Sequence, residues 1–290
     1  MTCWIRRLRC AVFLAMGLGA MALSAQSRRI HEYHLHEQEE KNAPFAMLVG
    51  PDNTLYTLIT RKDGNWVLSR VRGWWMDHPD EVGILVEGFS AHDPIASVGQ
   101  MDLALTPDGK YIVALLSAPL RVANDDPYPM EMLVDVVRLD TFQSTDTEHM
   151  RSLGIRGNLR AEFDRAGHLL VDSSIAPTDA SAAPYVTWFQ IAVPGLKAQL
   201  MCSYQPADAK DVKSAEDACG AFAKAEGYAS AEEVVASLPQ AAPPANPAQP
   251  PPGVAISSKD HFQFQAVNVG GQAMTLVVVD GIDVQAYAKE

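Results

Sequence analysis

Ala104-Leu105-Thr106-Pro107-Asp108-Gly109-Lys110-Tyr111-Ile112-Val113 reads as two strands joined by a tight turn. From Tyr111 to Leu116 the chain is continuously apolar, as in a strand buried on both faces. Asp108-Gly109 supplies the positive φ that such a turn requires. The same frame recurs upstream in Val49-Gly50-Pro51-Asp52-Asn53-Thr54-Leu55-Tyr56 and downstream in Phe163-Asp164-Arg165-Ala166-Gly167-His168-Leu169-Leu170. The aspartates stand at 52, 108 and 164, so both intervals are 56 residues, which implies copies of one supersecondary unit packed side by side.

Each copy reads as strands. Leu159, Ala161 and Phe163 alternate with Asn158, Arg160 and Glu162, the period-two signature of a strand with one buried face. Strands are expected at 45–49, 54–60, 65–72 and 83–87 in the first unit. The second offers 101–105, 110–117, 131–139 and 147–153, and the third 158–163, 168–173, 185–192 and 197–204. Asp63-Gly64, Gly270-Gly271 and Asp280-Gly281 punctuate the runs between them. A fourth unit has to come from Val254 to Tyr287, with Ile30 to His36 supplying a closing strand.

Four antiparallel strands per repeat is the make-up of a propeller blade. The hairpin at 104–113 resembles the inner hairpin of bacterial propeller repeats of the lactonase, TolB and WD-repeat kind. The resemblance implies an all-β fold, a small β-propeller of about four blade-like repeats with a short α-helical insertion, and it implies little about activity. An open stack of sheets, or a ring completed by another subunit, is the alternative to closure within one chain.

Residues 206–252 break the repeat. Ser214-Ala215-Glu216-Asp217 and Ser230-Ala231-Glu232-Glu233 have the form of a capping box opening a short helix, and Gly227 is placed to stop the first. Pro239 to Pro252 then contains seven prolines, an extended spacer rather than a packed element. The expected organisation is a leader at 1–25, propeller repeats at 26–205, a helical insertion at 206–238, a proline-rich linker at 239–252 and final strands at 253–290.

Arg6, Arg7 and Arg9 precede an apolar run from Ala11 to Leu23, followed by small residues up to Ala25, the order of a cleaved secretory signal. Export to the periplasm or beyond the cell is expected, with no transmembrane segment in the mature chain. Removing residues 1–25 moves the formal net charge from −12 to −15. That sign disfavours nucleic acid, whose phosphates need a clustered cationic face. Cys202 and Cys219 are then the two cysteines left, and in an oxidising compartment they are expected to pair.

Three constellations could carry chemistry. His34 and His36 share one side of a strand, with Glu40 beyond them, a pattern similar to the start of the cupin metal motif. It lacks the flanking glycines and the second histidine motif of that family, so a solvated terminal strand is the competing reading. Trp74 and Trp75, with Asp77 and His78 beside them and His92 and Asp93 in the next connection, could stack a flat ligand. Alternatively the tryptophans fill the space between neighbouring sheets. Asp125 and Asp126 form an acidic loop able to hold calcium through oxygens, without the spacing of an EF-hand.

A Gly-x-Ser-x-Gly elbow, a phosphate-binding glycine loop, a His-Glu-x-x-His motif and a dinucleotide fingerprint are all absent from the sequence. The expectation is therefore a non-enzymatic protein without a cofactor, binding a protein or small ligand through loops at one mouth of a ring. Two readings compete with it: a metal-dependent hydrolase of lactonase type holding a divalent ion through acids and imidazoles from different blades, and structural support within an envelope assembly.

Overall fold

The computed structural model describes residues 27–35, 45–61, 65–86, 100–119, 130–150, 158–163, 167–175, 185–204, 211–238, 254, 256–257 and 260–289. The expected leader and proline-rich linker lie outside these residues.

The described chain is all-β apart from two helices, and its strands make four antiparallel four-stranded sheets. The first sheet holds β2 (Ala46–Val49), β3 (Leu55–Thr60), β4 (Trp66–Arg72) and β5 (Asp80–Val86) in that order. The second holds β6 (Gln100–Leu105), β7 (Tyr111–Pro119), β8 (Met130–Arg138) and β9 (Gln143–His149). The third holds β10 (Asn158–Phe163), β11 (Leu169–Ile175), β12 (Tyr185–Ile191) and β13 (Ala198–Tyr204). In the fourth, β14 (Phe262–Val269), β15 (Gln272–Val279) and β16 (Asp283–Lys289) are followed at the edge by the N-terminal strand β1 (Ser27–His34). The strand expected near Ile30 to His36 thus pairs with the last strand of the chain, Tyr33 opposite Val284.

Most strands lie within two residues of the expected bounds, and two start further off. β5 begins at Asp80 and β9 at Gln143, each earlier than 83 and 147. Both are outer strands, and β9, Gln-Ser-Thr-Asp-Thr-Glu-His, shows no apolar alternation to mark its start.

Side-chain alternation decides how the sheets stack. Tyr56, Leu58, Trp66 and Leu68 meet Ile112, Ala114, Leu116 and Leu133 between the first and second sheets. The opposite face of the first sheet, with Leu55, Ile59, Val67 and Val71, meets Leu276, Val278, Val284 and Ala286 of the fourth. Val113, Leu115, Val134 and Val136 of the second sheet likewise meet Leu169, Val171 and Ile191 of the third. Each Val, Leu or Ile among them contributes roughly 1.5–3 kcal/mol when fully buried, so these three seams hold the body together. The order of stacking is fourth, first, second, third. Among the described residues no apolar cluster joins the third sheet to the fourth.

The far face of the third sheet is covered instead by the helices. Leu170, Trp188 and Met201 pack against Cys219, Phe222 and Ala223 of α1 (Asp211–Glu226) and Val234 of α2 (Ala231–Ser237). The Cys202–Cys219 disulfide ties α1 to β13, with Cα atoms 4.6 Å apart. Ser230 caps α2, its hydroxyl accepting from the Glu233 amide at 3.2 Å, and Gly227 follows α1 at φ +75°. The first Ser-x-x-acid stretch is not a cap, because α1 already begins at Asp211. The far face of the fourth sheet, with Val277, Val279 and Tyr287, is met by Val254 and Ile256.

Candidate functional site

At one end of the stack the inner hairpin turns touch in series. The Asn53 side chain donates to the Asn268 carbonyl at 2.9 Å, joining the β2–β3 turn to the β14–β15 turn. A Cβ on Gly50 would lie 3.6 Å from Leu105 at the start of the β6–β7 turn, and one on Gly167 would lie 3.5 Å from Pro107. Turns of the fourth, first, second and third sheets therefore form one continuous surface.

The repeated aspartates build these turns. Asp52 accepts from the Thr54 amide at 3.1 Å and hydroxyl at 2.8 Å. Asp108 accepts from the Thr106 hydroxyl at 2.6 Å and the Lys110 amide at 3.1 Å, with the Lys110 ammonium at 3.2 Å. The Thr106 hydroxyl bond, followed by the Lys110 contacts, holds the Asp108 carboxyl below the usual range. Partial burial pushes Asp52 up, but the Thr54 bonds and the charge of Arg72 outweigh it and the carboxyl is lowered too. Both act as local acceptors that shape the backbone.

Trp74 and Trp75 sit at this same end, in the turn from β4 to β5. Trp74 is fully buried between the first and fourth sheets, its indole N–H donating to the Asn53 carbonyl at 2.8 Å. It anchors the β2–β3 turn from beneath, and its ring meets Trp75 edge-on at 5.2 Å. Trp75 is half-buried, while Asp77 and His78 are exposed beside it.

The other expected residues fall elsewhere. His34 lies at the opposite end of the fourth sheet, its Nδ1 2.6 Å from the Asp283 carboxylate. His36, Glu40, His92, Asp93, Asp125 and Asp126 lie outside the described residues. The described strand ends on either side of those last four, Val86 and Gln100, then Pro119 and Met130, point away from the Trp74 end. Among the described residues no three metal-binding side chains converge. No helix among them is long and apolar enough to cross a membrane.

Sequence reading passed over the seam between the first and second sheets. There Arg70 on β4 lies with its guanidinium 4.7 Å from the Phe142 ring, and Tyr56 is 6.5 Å from the same ring. The signal was present in β4, where the face buried at Trp66 and Leu68 passes to a half-buried Arg70 and an exposed Arg72.

No protein-family model matches the chain, and no curated protein matches it either. Function is therefore read from the chemistry of the site itself.

Proposed function

We propose that the chain is an exported, non-enzymatic binding protein of small-propeller type, taking a protein or small ligand at the end of the stack where the inner turns meet. The observation that carries this reading is the linked row of turns, Asn268 to Asn53, Gly50 to Leu105 and Pro107 to Gly167. Loops held in register by a rigid scaffold are where ligands are recognised. The acids of these turns already accept from their own backbone and hydroxyls, which suits positioning better than acid–base work. The Cys202–Cys219 bridge accords with an oxidising compartment.

Metal analysis of the purified protein, coupled to a screen for lactone and ester hydrolysis, tests the reading. No turnover is expected with or without added zinc or calcium. Stoichiometric metal with turnover would replace it with the hydrolase of lactonase type, whose ion sits among acids and imidazoles.

A further inference from the structure

The seam between the first and second sheets holds a cation, Arg70 of β4, against the Phe142 ring. Arg70 is partly buried, and among the described residues no carboxylate pairs with it. Its Nη1 reaches the Leu139 carbonyl at 3.4 Å, a long contact, and its buried Nε has no hydrogen-bond partner among the described residues. Arg72, two residues on and exposed, stands opposite Asp80 in the β4–β5 register and acts on Asp52 through its charge. Arg138 is held by Asp140 in a paired contact. Arg70 differs from both in lying over a ring with a buried Nε.

Its surroundings hold the guanidinium in place without neutralising it. The Phe142 ring lies against it, presented from the β8–β9 turn with Phe142 at φ +52°. An aromatic residue in that left-handed region costs roughly 1 kcal/mol or more. The Tyr56 ring is buried in the seam, and Arg70, Arg72 and Asp52 all lie within electrostatic reach of its hydroxyl. A planar fork with spare N–H groups, stacked on a ring and flanked by a phenol, matches a single planar anion.

We infer that Arg70, with the Tyr56 hydroxyl beside it, binds the carboxylate of a ligand at the seam between the first and second sheets. This rests on the binding reading above and names the ligand's chemistry.

Titration of the full mature chain with benzoate, benzamide and inorganic phosphate, followed by calorimetry, tests it. Benzoate is expected to bind saturably and benzamide not. Arg70→Gln should weaken benzoate at least about tenfold, as loss of a charge-assisted pair requires. Arg70→Lys should fall between, and Arg138→Gln should bind as the unaltered chain does. Equal binding by Arg70→Gln, no saturable benzoate binding, or phosphate bound in preference to benzoate would each overturn the carboxylate site. Should Arg70→Gln fail to fold by circular dichroism, the Arg70 side-chain nitrogen resonances of the unaltered chain must move on benzoate addition, and static resonances count against the proposal. Hydrolysis of phenyl esters in the same samples would instead strike the non-enzymatic reading, so the two failures are told apart.

Discussion

Asp52 and Asp108 show how a single side chain can fix a turn. Each carboxylate accepts from a hydroxyl and a backbone amide within its own hairpin. Both are held below the usual carboxylate range, so the unfolded chain binds more protons in mild acid. Their contribution is fully present above the ordinary aspartate value of about pH 4 and is lost as pH falls through the lowered folded-state values. Urea midpoints measured from pH 6 to pH 2 should drop on that limb, and Asp52→Asn with Asp108→Asn should flatten it. Gly281 makes the steric counterpart. It sits at φ +76°, and a Cβ there would lie 2.5 Å from Ile59 Cγ2 and 3.0 Å from Phe45 Cβ. Gly281→Ala is expected to cost about 2–4 kcal/mol by overpacking and backbone strain, whereas Gly271→Ala, at φ +88° in open space, should cost about 1 kcal/mol. Denaturant titration of the two variants gives the comparison.

Strands and helices are held by contacts that cross between them. Tyr33 of β1 donates to the Glu81 carboxylate of β5, tying the outer strands of the fourth and first sheets. Burial, then the bond to Glu81 and its charge, raises the Tyr33 phenol well above its ordinary value. The sign is that of a raised group: stability is complete below about pH 10 and declines as pH climbs toward the folded-state value. Tyr33→Phe should lose that alkaline decline, as read by melting temperature between pH 9 and pH 11. The helical pair depends on its covalent tie in the same way. With Cys202 and Cys219 separated by 17 positions in sequence, reduction is expected to cost about 3 kcal/mol on chain-entropy grounds, felt first in α1 and α2. Hydrogen exchange should show those helices opening while the first and second sheets keep their protection.

Across the whole molecule, the fourth sheet is built from both ends of the chain. β1 pairs with β16 along its length, from Ser27 opposite Lys289 to His34 opposite Asp283. Removing residues 27–34 should expose the β16 edge and loosen the fourth sheet ahead of the rest, giving two unfolding transitions where one is expected of the unaltered chain. A single transition in the truncated chain would show that β1 adds little.

The 56-residue interval and the turn pairs made the four-strand module legible, because period-two patterning and turn chemistry are local properties. Outer strands such as β9 were harder to place, since a polar edge carries no such pattern. The tryptophan pair was visible as a pair, but not that Trp74 would be buried beneath Asn53. Arg70 became a candidate only when Phe142, distant in sequence, was found against it. Short-range sequence physics therefore set which segments became sheets and where each turned. The order in which those sheets stack, the helices on the third sheet and the guanidinium laid on a ring in the seam depend on contacts between residues far apart in the chain, and those follow from tertiary packing.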